Sequence, residues 1–425
     1  MVYIEIPKDV SLILSKLRAS GYEAYAVGGC VRDSLLGKEP KDWDITTSAL
    51  PLEVKEIFTR TVDTGIKHGT VTVLVNGTGY EVTTYRVDGE YLDGRHPEEV
   101  SFTASLDEDL KRRDFTINAF VYNEAEGVKD LFDGLKDLEC GIIRCVGVPE
   151  ERFGEDALRI LRAIRFAATL HFSIEPETYN AAKKLAANLS KVSAERIKIE
   201  LEKTLTSANP DYICFLKDLG IDRVILKELE KVEDTEPLNK ALKASGSDPS
   251  VRWAVLGFFM ERANRLSESG EAFKEVMRRL KFDNRTLERI LKFLRTYALL
   301  EDNKDFEKES FRISVKRLLN RLGTEDAYMF LDFAYALGMG TGCYVPLLQH
   351  VDRDSIYGEI EDITKKNECF LLKQLAVNGR DLMEAGITKG KELGEMLDRL
   401  LEAVIISPEK NTREYLLDAA KTYGY

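Results

Sequence analysis

The chain lacks any long apolar run. Its 425 residues contain no stretch near the roughly 20 consecutive apolar residues that a membrane-spanning helix needs. The opening segment MVYIEIPKDV also lacks the basic and then apolar order of a secretory signal, because it carries acidic residues and a proline there. We therefore expect a soluble, cytoplasmic protein that does not enter a membrane.

Cysteine is equally scarce. Six cysteines are scattered along the chain, and only Cys140 and Cys145 lie close together. No second pair of cysteine or histidine residues stands at the spacing of a zinc site. In a cytoplasmic protein these side chains are expected to be reduced thiols, so neither a disulfide framework nor a structural zinc is predicted.

The chain also has no surplus of basic residues. It carries 61 Lys and Arg against 73 Asp and Glu, a net charge of −12. Taken alone, this balance argues weakly against a nucleic-acid partner, which selects for basic surfaces. The basic residues cluster, however, at Lys111–Phe115 (KRRDF) and between Arg152 and Arg165. Local basic patches therefore keep a nucleic-acid partner possible.

The chain changes character near residue 150. The first 145 residues or so alternate between helix and strand patterns, which predicts an α+β module. Its predicted elements are a helix within residues 1–20, a strand Tyr22–Val27, a helix Val31–Leu36, a strand Trp43–Thr46, and a hairpin of Thr70–Val75 with Tyr80–Tyr85 around Asn76-Gly77. From there to Tyr425, helical periodicity dominates, in segments that include Ala157–Leu170, Ala194–Leu205, Phe273–Leu300 and Leu393–Ile405.

Two aspartates suggest a metal site in the first module. Asp42 and Asp44 are separated by one residue on a predicted strand, so their side chains are expected on one face. Two carboxylates there repel each other unless they are neutralised or bind a cation. An exposed pair at a strand end is the alternative interpretation.

The residues just upstream favour the metal interpretation. Gly28-Gly29 would let backbone N–H groups approach a phosphate at the start of a helix, and Arg32 adds a fixed positive fork. Asp33 is expected to brace this loop through backbone hydrogen bonds. No G-x-G-x-x-G occurs near Gly28, which argues against a dinucleotide-binding oxidoreductase. A phosphate cradle beside metal-binding carboxylates is suited to nucleotidyl transfer by two hard cations.

The combination GGCVRD and DWD resembles the signature of the DNA polymerase β-like nucleotidyltransferase superfamily. The rest of the chain resembles the bacterial class II tRNA nucleotidyltransferases, which are the CCA-adding enzymes and their poly(A) polymerase relatives. The further motifs that carry this resemblance are, in order, EVTTYR (Glu81–Arg86), DGRHP (Asp93–Pro97), KRRDFTINA (Lys111–Ala119), EDALRILRAIRF (Glu155–Phe166), ERIKIEL (Glu195–Leu201) and, more loosely, VNGRDLMEAGITKGKELGEML (Val377–Leu397).

The resemblance implies an α+β polymerase β-like nucleotidyltransferase head followed by an all-α neck, body and tail. The expected bounds are 1–148 for the head, 149–215 for the neck, 216–340 for the body and 341–425 for the tail. Asp42 and Asp44 are expected to hold Mg²⁺ in the head. Glu81 could supply a third carboxylate, with a surface strand glutamate as the equal alternative. Arg113 and Asp114 are assigned by the resemblance to recognition of a ribose.

Base selection is predicted from Asp156 and Arg159. On a helix they would lie three residues apart on one face. The carboxylate can accept a hydrogen bond from the exocyclic amine of cytosine or adenine, and the guanidinium can donate to the neighbouring ring nitrogen. Uracil and guanine carry a carbonyl where the carboxylate needs a donor. This pair therefore predicts an enzyme that selects CTP and ATP without a template strand.

Two further arginines and a later helix complete the predicted site. Arg162 and Arg165 continue near the same side and are expected to reach the triphosphate. Residues Glu195-Arg196 and Glu200 lie in a segment that, by the resemblance, braces the base-reading helix. The predicted reaction is attack of a tRNA 3′ hydroxyl on the α-phosphorus, with release of pyrophosphate.

Members of the family differ in what they add. CC-only members lack the polar loop that this chain keeps at Arg86–Ser101, so CC-only addition is disfavoured. Addition of the terminal A alone stays an open alternative to full CCA addition. The chain ends in LLDAAKTYGY rather than the basic extension usual in poly(A) polymerases, and none of its four histidines precedes an aspartate, as an appended phosphohydrolase domain would require. A non-catalytic tRNA- or nucleotide-binding protein is the rival from another class.

The helical half is expected to hold tRNA by its shape. Lys389, Lys391 and Arg399 are candidate phosphate contacts, with a solvated helix face as the equal alternative. Because the chain is acidic overall, the salt dependence of tRNA binding is expected to be modest. We expect tRNA, CTP and ATP as partners, and no DNA.

Overall fold

The structure is a computed structural model that describes residues 3–89, 100–264, 270–302, 310–349, 351–386 and 390–423. The chain separates into two compact units, Met1–Glu230 and Lys231–Tyr425. Each unit is described by itself. None of the helices within those ranges is both long and apolar enough to cross a membrane.

The first unit contains a sheet and the helices that follow it. Its strands are β1 Ala24–Val27, β2 Ile45–Thr47, β3 Thr61–Gly65, β4 Thr70–Val75, β5 Thr78–Thr84, β6 Arg86–Asp88, β7 Val100–Phe102, β8 Phe120–Asn123, β9 Gly127–Asp130, β10 Ile142–Ile143 and β11 Ser173–Ile174. Its helices are α1 Lys8–Ala19, α2 Gly29–Leu35, α3 Pro51–Ile57, α4 Leu106–Lys111, α5 Gly134–Cys140, α6 Pro149–Glu155, α7 Leu158–Leu170, α8 Pro176–Leu185, α9 Ala194–Leu205, α10 Phe215–Asp218, α11 Asp222–Ile225 and α12 Lys227–Glu230.

Seven strands form one mixed sheet in the order β3-β4-β5-β2-β1-β8-β9. Only the β2–β5 pair is parallel, with Ile45 opposite Val82 and Thr47 opposite Thr84. The other adjacent strands are antiparallel, and the β4–β5 hairpin turns at Asn76-Gly77, where both residues have positive φ. Such a turn matches the right-handed twist of the flanking strands.

Both faces of this sheet are covered. Apolar residues of α1, which recur at the helical period, pack with α3 on a cluster that includes Ile45, Val71 and Val82. A second cluster joins Tyr25 and Val121 to residues of α4. The sheet is therefore a rigid support for side chains that lie at the ends of its strands.

The second unit is entirely helical in its described residues. Its helices are α13 Glu236–Ala244, α14 Pro249–Asn264, α15 Glu271–Arg279, α16 Asn284–Asp302, α17 Phe311–Leu322, α18 Thr324–Thr341, α19 Pro346–Gln349, α20 Arg353–Lys365, α21 Gly379–Glu384, α22 Lys391–Ile406 and α23 Arg413–Tyr423. An aromatic group of Phe293, Phe330 and Phe333 lies between α16 and α18, and a separate core joins α21, α22 and α23.

The predicted fold class is confirmed, and several predicted elements agree within a few residues. Ala194–Leu205 is reproduced residue for residue as α9. The interpretation of Trp43–Thr46 as a strand was wrong, because β2 begins only at Ile45. Phe273–Leu300 is also not continuous, since Lys281 takes φ of 58° and separates α15 from α16.

Candidate active site

The turn after β1 is built around Gly28. Its φ of 78° is rarely adopted by other residues, and its N–H donates to the Phe120 carbonyl at 3.1 Å. A Cβ atom at this position would lie 3.1 Å from a guanidinium nitrogen of Arg113. Gly29 then begins α2. The glycine pair thus allows Arg113 to approach the backbone closely, which only a glycine permits.

Arg32 is fixed in direction by two side chains. Its guanidinium donates to Asp33 at 2.8 Å and to the Asn118 amide oxygen at 2.6 Å. Arg32 is buried, with 8% of the residue exposed. Asp33 is predicted from the sequence to brace the loop through backbone hydrogen bonds. The structure instead shows its carboxylate as the ion-pair partner of Arg32.

The predicted metal-binding carboxylates lie just before β2 rather than on it. Extending the β2–β5 register by one residue brings Asp44 beside Glu81. Although Asp44 keeps contact with solvent, partial desolvation by the surrounding protein raises its pKa, and the charges of Glu81 and Asp42 raise that pKa further. Asp42, Asp44 and Glu81 are all exposed to solvent. These three carboxylates therefore form an accessible, mutually repelling group at one end of the sheet.

This group is not a closed three-carboxylate cage. Among the described residues, no three His, Cys, Asp or Glu side chains lie close enough together to hold one metal ion. Magnesium is usually bound by one or two carboxylates and completes its shell with water and substrate phosphates. Two carboxylates from Asp42-x-Asp44 fit that requirement, and Glu81 is not needed for it.

Arg113 is a positive charge that acts on this group. It lies 3.5 Å from the fully buried carboxylate of Asp109, and the charge of Arg113 in turn lowers the pKa of Asp44. Burial lowers the pKa of Arg113 itself, while Asp109, Asp114 and Asp44 raise it. Arg113 therefore lies against the glycine turn and also interacts electrostatically with Asp44.

Asp114 is saturated by protein donors. One carboxylate oxygen accepts from the Phe115 N–H at 2.8 Å and from the Asn118 amide at 3.1 Å. The other oxygen accepts from Arg162 at 2.7 Å and pairs with it again at 2.6 Å. Although burial raises the pKa of Asp114, Arg162 and these hydrogen bonds outweigh it and lower that pKa to about 2. A ribose hydroxyl would have to share these oxygens.

Asp156 does not lie on a helix with Arg159, so this part of the prediction was wrong. The residue has extended backbone between α6 and α7, and its carboxylate accepts from the Leu158 N–H at 3.0 Å. This is the behaviour of a helix cap, which competes with continuing the helix through position 156. Arg159 sits in the first turn of α7.

Separate partners hold the side chains of Asp156 and Arg159. Arg196 on α9 donates to both oxygens of Asp156, at 3.3 and 2.6 Å. Arg159 donates to Glu155 at 2.5 Å and to the Arg112 carbonyl at 2.9 Å. Asp156 and Arg159 are thus each oriented by other residues and not by each other. The hydrogen bond from Arg159 to the Arg112 carbonyl also connects this segment to the residue that precedes Arg113.

Three arginines surround one aromatic ring. The guanidinium carbons of Arg32, Arg162 and Arg165 lie 5.1, 5.4 and 3.8 Å from the ring centre of Phe166. Glu200, buried on α9, accepts from Arg165 at 2.6 Å and lies 3.9 Å from Arg162. The structure therefore brings together arginines of two separate motifs, and α9 braces them as expected.

The predicted tRNA contacts are only partly described. Lys389 lies outside the described residues, as do residues 90–99 of the predicted loop, including DGRHP. Lys391 begins α22, is exposed, and lies 3.6 Å from Glu395. Arg399 is exposed on the same helix. Nothing in these positions distinguishes a tRNA contact from a solvated helix face.

Sequence reasoning missed four residues that hold the site in place. These residues are Asp109, Asn118, Glu155 and Phe166. A signal existed for two of them, because Asp109 stands four residues before Arg113 and Glu155 four before Arg159, the spacing of helical ion pairs. The roles of Asn118 and Phe166 depend on contacts between distant motifs, which no local pattern reveals.

Comparisons with known proteins indicate the class to which the chain belongs. The family model described as "Poly A polymerase head domain" matches residues 24–144, and two further models, for an RNA and SrmB-binding site of polymerase A and for tRNA nucleotidyltransferase domain 2, match residues 171–232 and 347–420. The fold and site thus define a nucleotidyltransferase with a polymerase-type head.

Similar whole proteins make the family more specific. The CCA-adding enzyme of Lactiplantibacillus plantarum is 38% identical over 99% of this chain and 98% of its own. The crystal structure of the Bacillus stearothermophilus CCA-adding enzyme in complex with CTP has a TM-score of 0.79 at 31% identity, covering 97% of each chain. The Thermotoga maritima CCA-adding enzyme complexed with tRNA_CCA shares the fold, with a TM-score of 0.64 at 22% identity over 98% of this chain and 96% of that one. This chain belongs to the family of CCA-adding enzymes.

Proposed function

We propose that this protein adds CCA to the 3′ end of tRNA from CTP and ATP, without a template strand, releasing pyrophosphate at each step. One observation carries the proposal. Arg159, which we assign to base selection, donates to the carbonyl of Arg112, and the next residue, Arg113, lies against Gly28 and acts electrostatically on Asp44. Base selection and nucleotidyl transfer would then share one continuous site.

The carboxylates before β2 are assigned to Mg²⁺. A surplus of negative charge at Asp42, Asp44 and Glu81 favours a divalent cation, and carboxylate oxygens are the ligands that magnesium prefers. A bound cation there would lower the pKa of the attacking 3′ hydroxyl and compensate charge on the triphosphate. The protein's own part is to hold Asp42 and Asp44 open to solvent at a rigid strand end, with Arg113 beside them.

The base-reading role follows from donor and acceptor chemistry. The carboxylate of Asp156 only accepts and the guanidinium of Arg159 only donates, which matches the amine and ring nitrogen of cytosine and adenine. Arg196 holds Asp156 in direction, because it donates to both carboxylate oxygens, at 3.3 and 2.6 Å. A carboxylate has no hydrogen to donate to the carbonyl of uracil or guanine.

The arginines around Phe166 are assigned to the triphosphate. Arg32 pairs with Asp33, Arg162 with Asp114 and Arg165 with Glu200, and these pairs hold each planar fork in direction. Forked donors of this kind suit phosphate oxygens. In this assignment Arg113 acts on the metal carboxylates, and Asp114 acts chiefly by holding Arg162.

The remaining assignments concern the tRNA. We place the head at 1–148, the neck at 149–215, the body at 216–340 and the tail at 341–425, with Lys389, Lys391 and Arg399 of the tail along the tRNA. Because few cations are involved, we expect a shallow salt dependence of tRNA binding. The reaction is placed in the cytoplasm, where tRNA is matured.

The test is incubation of the pure protein with Mg²⁺ and three tRNA transcripts, which end before CCA, after the first C and after CC. Labelled CTP and ATP are supplied separately and together. Ordered growth of all three transcripts to one CCA end supports the proposal. Extension of the CC transcript alone would identify an A-adding enzyme, long A tails would identify a polymerase, and no incorporation would favour a binding protein.

A further inference from the structure

A cavity of about 720 Å³ lies in the second unit, between α16 and the turn from α17 to α18. All of its lining residues fall between Asn284 and Asp326. The volume is within the range of about 300–1,000 Å³ usual for small-molecule sites. The cavity shares no residue with the candidate active site, and the proposed reaction assigns it no role.

The cavity wall is basic in an acidic protein. Five cationic side chains line it, and these are Arg285, Arg289, Lys292, Arg295 and Arg321. Three acidic residues, Glu288, Glu325 and Asp326, line it as well. The wall therefore carries a surplus of positive charge, whereas the whole chain has a net charge of −12.

Part of this charge is neutralised within the wall. Arg289 pairs with Glu325 at 3.1 Å and with Asp326 at 2.8 Å, so one guanidinium contacts both acids of the first turn of α18. Arg295 lies 3.3 Å from Glu271, outside the wall. These pairs fix the shape of the cavity and account for most of its carboxylates.

The other cations lack carboxylate partners. Lys292 donates to the Leu322 carbonyl at 3.2 Å and makes no ion pair within the described residues. Arg285 and Arg321 are exposed, and neither makes a salt bridge or hydrogen bond with any residue that the structure describes. Three cations thus face one cavity in which Glu288 is the remaining carboxylate of the wall, and none of the three forms a salt bridge within the described residues.

Two further polar features of the cavity wall, a buried hydroxyl and a helix N-terminus, also lack a side-chain partner within the described residues. Thr296 lines the cavity and is 2% exposed, and its hydroxyl is buried without a hydrogen-bond partner in the described part of the chain. Gly323 caps the N-terminus of α18, an 18-residue helix without a side-chain cap. Buried hydroxyls normally have a partner, and the first N–H groups of a helix favour an anion.

We propose that this cavity binds a phosphate group through Arg285, Lys292 and Arg321, with the Thr296 hydroxyl and the start of α18 completing the site. Guanidinium forks and helix N-termini both suit tetrahedral oxyanions. The group could belong to a free ligand, such as pyrophosphate or a nucleotide, or to the backbone of a bound RNA. The two sources share one chemistry and are separated by experiment.

The test compares the full-length protein with R285Q/R321Q, which removes two exposed charges without touching the core. The matched control is R278Q, since Arg278 is an exposed arginine of the same unit that does not line the cavity. Calorimetry with pyrophosphate counts free-phosphate sites. Fluorescence anisotropy with labelled tRNA, from 50 to 200 mM KCl, measures RNA affinity and its salt dependence.

If the ligand is free, the wild-type protein binds one more pyrophosphate than R285Q/R321Q. If it is an RNA phosphate, R285Q/R321Q binds tRNA about tenfold more weakly, and the slope of log affinity against log salt falls by about 1.4 to 1.8, at about 0.7 to 0.9 per lost contact. T296V is expected to bind the same ligand, pyrophosphate or tRNA, several-fold more weakly in the assay in which R285Q/R321Q is impaired. Behaviour of R285Q/R321Q like that of R278Q in both assays would overturn the proposal, and unchanged binding by T296V would contradict the part given to the hydroxyl.

These outcomes are independent of the proposed function. The variants leave the head residues untouched, and binding is measured without nucleotide incorporation. Failure of the wild-type protein to extend tRNA would therefore count against the proposed function and not against this site.

Discussion

Replacing Asp114 with asparagine tests whether this residue acts by holding Arg162. The change keeps the size of the side chain but puts an amide donor where Arg162 also donates, and it removes the negative charge. The pKa of Asp114 falls from 3.8 to about 2 in the folded protein, which corresponds to a stabilisation on the order of 2 kcal/mol. Loss of one partner of a buried ion pair costs about 3–5 kcal/mol, and Arg162 keeps Glu200 at 3.9 Å. We expect D114N to destabilise the first unit by about 2–3 kcal/mol.

The pH dependence of this difference has a defined sign. A carboxyl whose pKa is lowered by folding stabilises the folded state above its unfolded pKa, and that stability is lost as the pH falls through the folded pKa. The difference between wild type and D114N should therefore be the same at pH 7 and pH 5, and should shrink only between about pH 4 and pH 2.

The assay is urea unfolding followed by the fluorescence of Trp43 in a W253F background. The chain has two tryptophans, one in each unit, so Trp43 alone then reports on the first unit. Asp137 offers a control, because its buried carboxylate also pairs with an arginine, Arg144, to which we assign no contact with the nucleotide. A D114N destabilisation below 0.5 kcal/mol would refute the energetic reasoning.

Kinetics distinguish holding Arg162 from touching the ribose. If Asp114 positions Arg162, D114N raises KM for CTP and ATP alike and leaves the preference for CTP over dCTP unchanged, whereas D137N changes neither. A selective loss of the preference for the ribonucleotide, with stability intact, would show that Asp114 contacts the ribose and that its hydrogen bonds to protein are secondary.

Three further variants test other parts of the structure. G28A should keep the native circular dichroism but lose at least tenfold in kcat, because a Cβ atom would lie 3.1 Å from Arg113 in a strained backbone region. R196M should raise KM for both nucleotides by freeing Asp156, and a change for one base alone would contradict this. G77A should lower the free energy of unfolding by about 1 kcal/mol, because position 77 has φ of 87°. Nucleotide incorporation by G77A should be normal. An unchanged urea midpoint would contradict this prediction.

Local features of the fold could be predicted from the sequence because local chemistry determines them. Asn76-Gly77 specifies a turn with two positive φ values, and α9 carries both its apolar period and its boundaries within its own residues. The start of β2 could not be predicted in the same way. Asp42 and Asp44 lie in an extended segment that resembles a strand, but β2 pairs with its neighbours only from Ile45 onward.

The same distinction between local and long-range determinants applies to the candidate site. Residue types and spacing identified the groups assigned to chemistry, such as Asp44 and Arg159. They could not identify the partners that orient these groups, because those partners come from distant segments. Arg196 reaches Asp156 across 40 positions, and Asn118 reaches Arg32 across 86. Tertiary contacts, together with the capping of α7, also overrode the helical pattern at Asp156.

The central claim is that one site, built on Asp42 and Asp44, performs every addition. The most direct test is a single time course on tRNA lacking CCA, with CTP, ATP and Mg²⁺, for wild type, D42A and the control D63A. Asp63 is an exposed strand aspartate of the same unit that pairs with Lys55. We predict that wild type and D63A lengthen the tRNA by three nucleotides and that D42A, folded as judged by circular dichroism, adds none. Incorporation by D42A at the wild-type rate would contradict the account.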